Sequence, residues 1–185
     1  GHSAGSQAMF LEGYRLLDMC WLGPGPFVAQ LLGDLGLDVI RISEVAKGAG
    51  RRGGQDIGTL LSTHNAAQLG HFRLGMRNTR SIAVDLKTPE GQQVFRRLLE
   101  KADALQEGFR PGVADRLGVG YEDVRKLRPD IVYASITGYG QSGPYRDSGG
   151  HDLNYGSVAG FMHLNARAGG APAIPGALIG DFAAG

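Results

Sequence analysis

The chain has 185 residues, 42% of them hydrophobic, which suits one domain of ordinary size with a buried core. Lys+Arg number 19 against 18 Asp+Glu, so the balance implies no basic face and excludes nucleic acid as the expected partner. The lone cysteine, Cys20, cannot close an internal disulfide, and no apolar run approaches a membrane span. A reducing, cytoplasmic setting away from membranes is the expectation.

Residues 1–10, opening Gly1-His2-Ser3-Ala4-Gly5-Ser6, lack the charged-then-apolar order of a signal peptide and read as a tail or an expression scar. Residues 14–20 predict a first strand, with Cys20 a small buried residue on it. Gly23-Pro24-Gly25-Pro26 is a sharp turn, and Pro26 suits the first turn of a helix. Phe27, Leu31, Leu32 and Leu35 then recur at helical spacing until Gly36 stops the run. Residues 38–42 predict a second strand. Residues 43–76 are polar, Gly-rich and weakly periodic, the pattern of a long excursion or mobile loop. Residues 81–86 predict a third strand. Thr88-Pro89-Glu90 opens a helix with Val94, Phe95, Leu98, Leu99 and Ala102 on its apolar face. Residues 104–109 predict a fourth strand, and 113–117 and 121–127 short helices. Residues 130–137 predict a fifth strand, apolar on both faces and so expected at the centre of a parallel sheet.

Strands alternating with helices define an α/β fold, a Rossmann-like doubly wound and mainly parallel sheet. The expected domain spans residues 11–150, and 151–185 form a looser segment that carries the candidate site. Ligands in such sheets sit beyond the carboxyl ends of the strands. The turn after the first strand, Lys87, Arg110 and the 138–150 loop all fall at such ends. The 31 glycines have no triplet period, which excludes collagen; they sit between apolar runs, where backbone turns sharply or approaches a ligand. There is no internal repeat, P-loop or metal-spaced Cys/His cluster, so no metal is expected. Gly23-Pro24-Gly25-Pro26 lacks the third glycine of a dinucleotide loop, and its prolines remove N–H donors, which argues against a nicotinamide cofactor.

His151 and Asp181 stand out, each in a Gly-flanked setting, in Gly150-His151-Asp152-Leu153-Asn154-Tyr155 and Gly180-Asp181-Phe182. An imidazole and a carboxylate are the equipment for two bases acting on one carbon acid. On spacing alone, two unrelated residues is the competing reading.

Leu22-Gly23-Pro24-Gly25-Pro26-Phe27, the run 32–41, the run 80–87, Phe109-Arg110-Pro111-Gly112-Val113 and the run 137–144 together resemble the family III CoA-transferases. The motifs are co-linear and cover nearly the whole chain after about residue 11. The resemblance implies one of two chemistries, with Asp181 central to both: CoA transfer between carboxylic acids through an aspartyl-CoA intermediate, or inversion of the carbon next to an acyl-CoA thioester. Gly150 to Tyr155 matches the Gly-His-Asp-x-Asn-Tyr motif of the α-methylacyl-CoA racemases, and Gly23 stands where transferases often carry a polar residue such as glutamine. The resemblance thus favours a racemase or epimerase of 2-methyl-branched acyl-CoA. His151 and Asp181 would be its bases, and N–H groups near Asp152 and Asn154 would hold the enolate oxygen. A CoA-transferase, or a non-catalytic scaffold half, is the alternative.

The resemblance also implies a coenzyme A site, as part of the substrate and with no prosthetic group, at Val84, Asp85, Leu86, Lys87 and Gly150, Asp152, Leu153, Asn154, Tyr155. Arg77, Arg110 and Arg116 are candidate phosphate partners. A solvated surface charge is the competing reading for each arginine. Asp152 competes as a helix cap, Tyr155 as a packing residue and Glu107 as a support to the site. His64, His71 and His163 sit outside any motif. Glu44 departs from the family pattern, placing a negative charge where a basic group would assist the nucleotide, with Lys47, Arg51 or Arg52 as compensation. Length is the larger departure. Family members are longer and interlock as dimers, so a complementary C-terminal half or a homodimer partner is expected, and apolar surface left for it.

Overall fold

The computed structural model describes residues 9–20, 23–45 and 77–184. The expected 43–76 loop falls mostly outside these residues, as do His64, His71, Lys47, Arg51 and Arg52. Five strands, β1 (Arg15–Met19), β2 (Asp38–Ser43), β3 (Thr79–Ala83), β4 (Ala104–Glu107) and β5 (Val132–Ser135), form one sheet in the order β3-β2-β1-β4-β5. Every pairing is parallel. The helices are α1 (Pro24–Asp34), α2 (Pro89–Leu99), α3 (Val113–Arg116), α4 (Tyr121–Leu127), α5 (Asp152–Val158), α6 (Phe161–Leu164) and α7 (Ile179–Ala184). None is long and apolar enough to cross a membrane.

The two-residue period of the strands sorts the core. Leu17, Met19, Ile40, Ile42 and Leu105 point to one face, where Phe95 and Leu99 of α2 and Val124 of α4 cover them. Leu16 and Val39 point to the other, under Ala29 of α1. Thr88 caps α2, its Oγ accepting the Gly91 N–H at 3.1 Å, with Pro89 at the first helical position.

Three expectations need correction. The buried stripe of α1 is Gly25, Ala29 and Gly33, whereas Leu31 and Leu35 are exposed. Small residues win that face because the helix lies close on its neighbours: a Cβ on Gly25 would sit 2.2 Å from Cys20 Cβ. β3 begins two residues earlier than expected and ends at Ala83, because Asp85 O accepts the Thr88 N–H and hydroxyl and so turns the chain into α2. β5 lies at the edge of the sheet and not at its centre, with Val132 68% exposed. An apolar strand states how much surface it can bury; it does not state where the covering atoms come from.

Sheet order reverses between β1 and β4, whose carboxyl ends therefore flank the topological switch point. Cys20 and Gly108 leave these two strands in close approach, a Cβ on Gly108 lying 3.3 Å from Cys20 Sγ. Burial, reinforced by Asp18 and Glu107, pushes the Cys20 thiol far up, so it packs as an inert apolar group. Beneath the turn that follows β1, Asp18 is fully buried and accepts from Arg41 Nε at 2.9 Å, from Gln106 Nε2 at 2.9 Å and from the Cys20 N–H at 2.9 Å. Gln106 also donates to Gly25 O at 2.9 Å, which ties the first turn of α1 to the sheet.

Candidate active site

The site is assembled at the switch point by three short elements. Gly23 turns the chain into α1 with φ 73°, a left-handed conformation that only glycine adopts without strain. α7 packs against α1 through an edge-to-face contact of Phe27 and Phe182, with ring centres 5.1 Å apart. That contact lays the Asp181 carboxylate beside Gly23; a Cβ there would meet Asp181 Oδ1 at 3.5 Å. A larger side chain at this position would fill the space against the carboxylate.

α5 supplies the remaining groups. His151 is its N-cap, in an extended conformation, and the His151 N–H donates to Asn154 Oδ1 at 2.9 Å. The imidazole belongs to an exposed residue. Asp152, the first helical residue, is buried, and its Oδ1 accepts the Asp181 N–H at 3.0 Å. Tyr155 donates its hydroxyl to Gly150 O and stands edge-on to Tyr139, centres 5.1 Å apart. The ring occupies the space of two missing side chains: a Cβ on Gly138 would fall 2.1 Å from Tyr155 Cε1, and one on Gly150 2.7 Å from the same atom. The glycines of the 138–150 loop therefore let this ring pack beneath the loop.

Burial lifts the Asp181 carboxyl above the usual carboxylate range, the Asp152 charge adds to the rise, and His151 opposes it in part. Tyr155 is pushed up by burial, by Tyr139 and by Asp181. Asp181 thus shares an electrostatic neighbourhood with His151, Asp152 and Tyr155. A raised folded-state value makes the folded protein hold this proton more tightly than the unfolded chain does. The stabilisation is complete below the unfolded value of about 3.9 and is lost as pH rises through the folded value. Between pH 4 and 7 the urea midpoint of the wild type should therefore drop relative to that of Asp181→Asn. Parallel midpoints across that range would show the carboxyl to be unperturbed.

The expected coenzyme A residues divide into groups. Leu86, Lys87 and Arg116 line one cavity of about 700 Å³ between α2, α3 and α4, together with Arg96 and Lys126. The last two were not anticipated; their only sequence signal is a basic residue at the rim of an apolar helix face. Arg110 lines a smaller cavity of about 180 Å³ with Glu107, Tyr133 and Ser135, and its Nη2 would lie 3.1 Å from a Cβ on Gly149. Glu107 is buried and accepts the Phe109 N–H at 2.8 Å, closing the turn after β4. Val84 is buried in the core, and Asp85 Oδ1 accepts the Lys87 N–H at 3.1 Å. Gly150, Asp152, Leu153, Asn154 and Tyr155 stay with His151 on α5. Arg77 is placed elsewhere: it grips Asp34 at the amino end of β3, its Nε 2.9 Å and 3.1 Å from the two carboxylate oxygens. The Asn154 N–H is spent on His151 O at 2.8 Å, which removes it as an enolate donor. His163 is exposed on α6. Among the described residues no group of three His, Cys, Asp or Glu could hold a metal ion.

Fold and site define an α/β protein with a carboxylate at the switch point of a parallel sheet, bonded through its main chain to the helix that His151 caps. Residues 11–185 match the model of CoA-transferase family III, and the chain belongs to that family. It is 38% identical to a succinyl-CoA:glutarate CoA-transferase of Mus musculus over 95% of this chain and 39% of that one. It is 36% identical to the α-methylacyl-CoA racemase of Homo sapiens over 96% of this chain and 41% of that one. A crystal structure of a CAIB/BAIF family protein from Brucella suis superposes with a TM-score of 0.78 at 32% identity, over 95% of this chain and 46% of the other. The chain spans about two fifths of the length of the curated relatives it matches.

Proposed function

We propose that the protein inverts the α-carbon of a 2-methyl-branched acyl-CoA by two-base proton transfer. The observation that carries this reading is the 3.0 Å bond from the Asp181 N–H to Asp152 Oδ1, which ties the helix of one candidate base to the helix capped by the other, His151. A carboxyl and an imidazole are each able to give or take a proton, so one can serve each face of the carbon. The C–H bond breaks toward one base, and its electron pair moves onto the thioester oxygen. The other group then delivers a proton to the opposite face of the enolate. The first turn of α5 would hold that oxygen through the N–H groups of Asp152 and Leu153, the Asn154 N–H being spent on His151 O.

The CoA moiety would place its phosphates at the basic rim of the larger cavity, where Lys87 and Arg116 converge over the apolar floor of Phe95, Leu99 and Val124. Lys87 is not free there: its Nζ pairs with Glu44 Oε1 at 3.0 Å. Glu44→Gln should release it and lower the KM for acyl-CoA by roughly two- to fivefold with kcat unchanged, the scale of an exposed ion pair. A KM equal to the wild type would place the phosphates away from Lys87.

CoA transfer with Asp181 as nucleophile is the second reading, supported by the identity to transferases and by the open space that Gly23 leaves beside the carboxylate. The deciding experiment is mass-spectrometric uptake of deuterium at the α-carbon of a 2-methylacyl-CoA in heavy water, with the protein alone and with any chain that copurifies. Uptake lost in Asp181→Asn supports the racemase. A silent exchange assay together with a CoA adduct trapped on Asp181 supports the transferase.

A further inference from the structure

We propose that Asp152 is a positioning residue, whose buried carboxylate holds Asp181 in place from the helix that carries His151. This inference rests on the two-base reading of the site. The geometry comes from two helix ends. Asp181 lies in the first turn of α7, where backbone N–H groups have no acceptor within the helix. Asp152 supplies that acceptor from another element: its Oδ1 is 3.0 Å from the Asp181 nitrogen, across 29 residues of chain. The approach is close enough to constrain the sequence next to it, because a Cβ on Gly180 would lie 2.9 Å from the same oxygen. The Asp152 side chain is buried although it is charged and sits on a seven-residue helix. A solvent-facing cap would need no such burial. One carboxylate therefore links the main chain of one candidate base to the turn that bears the other, and movement of either end is felt by both.

The same placement gives Asp152 an electrostatic role. Its charge raises the Asp181 carboxyl, second only to burial, while the His151 imidazole lowers it. Tyr155, on the next turn of α5, is the remaining titratable neighbour and is itself raised by Asp181. α1, the other helix packed on α7, brings Gly23 and Phe27 to this point, and its one charged residue, Asp34, is at the far end of the helix. Among these neighbours Asp152 is the one whose charge raises Asp181, so its removal has a defined sign: Asp181 becomes more acidic.

The test titrates the side-chain carboxyl carbon of Asp181 by 13C NMR in the wild type and in Asp152→Asn, with the signal assigned by its loss in Asp181→Asn. Asparagine keeps an oxygen that can accept the Asp181 N–H and removes the charge. The expected result is a titration midpoint lower by about one pH unit, tenfold in the proton affinity. An unchanged midpoint overturns the proposal. Asp152→Ser, which keeps a hydroxyl acceptor and removes the charge, replaces the asparagine variant if the latter does not fold. α-Deuterium exchange gives the second readout. Asp152→Ala should slow it by about ten- to a hundredfold, Asp152→Asn should recover part of the loss, and the acid limb of its pH profile should move with the NMR midpoint. Equal rates in the alanine and asparagine variants would reduce Asp152 to a packing residue. A wild type that exchanges no α-proton, alone or with any chain that copurifies, removes the racemase reading, and the titration still decides whether Asp152 governs Asp181.

Discussion

On the two-base reading proposed above, His151→Gln should slow α-deuterium exchange by about 10²- to 10⁴-fold, the range spanned by single general acid–base groups, and leave the unfolding midpoint within experimental scatter. The fold tolerates the change because the capping contact of α5 runs through the main-chain N–H of His151 to Asn154 Oδ1 and survives any side chain at 151. The imidazole itself belongs to an exposed residue, so its loss opens no cavity. Glutamine is neutral and polar but cannot exchange a proton in the working range. The variant also separates the two chemistries. Transfer through an aspartyl-CoA intermediate needs the Asp181 carboxylate and no imidazole, so CoA transfer to an acceptor acid should persist in His151→Gln and vanish in Asp181→Asn. A racemase loses exchange in both. Exchange that persists in His151→Gln within a few-fold of the wild type would sink the two-base mechanism.

The parts of the fold written in local chemistry were legible in the sequence. β1, β2 and β4 fall within two residues of their expected bounds because two-residue apolar alternation or an apolar run ends at a glycine or a turn. α2 starts at Pro89 because Thr88 and Pro89 are a capping pair in their own right. What failed depends on distant partners. The face of α1 was misplaced because leucines mark apolar surface, whereas the helix sits on the sheet through Gly25, Ala29 and Gly33, whose small size is meaningful only against Cys20 and Asn78. β5 was placed at the centre from its apolar faces, yet only β4 pairs with it among the described residues. At the site, the motif brought His151 to attention, but the burial of Asp152 and its bond to the Asp181 main chain involve two helix ends 29 residues apart, and no periodicity encodes that pairing. Arg77 shows the converse: a cation can look like a phosphate ligand until Asp34 is seen to hold it.

A polar row crosses the apolar strands of the sheet. Asp18, Arg41 and Gln106 each interrupt an apolar strand at a position facing the same side of the sheet, and together they form the buried network under α1. Asp18→Ala should destabilise the protein by about 3–5 kcal/mol, because it strands the Arg41 guanidinium in the interior without its counter-ion. Arg41 has little reserve: it is 7% exposed, and its Nη2 already lacks a hydrogen-bond partner among the described residues. The Cys20 N–H and Gln106 Nε2 lose an acceptor in the same step. Asp18→Leu combined with Arg41→Met should recover most of the stability, since a paired removal leaves no buried charge behind. Urea unfolding of the two variants measures this directly, and a cost below about 1 kcal/mol for Asp18→Ala would mean that water reaches the pair. The consequence extends to the site. Gln106 spans Asp18 and Gly25 O, and two residues before Gly25 the chain makes the left-handed turn at Gly23 that lies beside Asp181. The single variant should therefore lose α-proton exchange even at temperatures where it is folded, and the apolar double variant, though stable, should not regain it in full, because Gln106 no longer has a fixed acceptor on β1. Stability and exchange would then separate in one pair of proteins, which is the signature expected of a buried polar network that orients the turn beside Asp181.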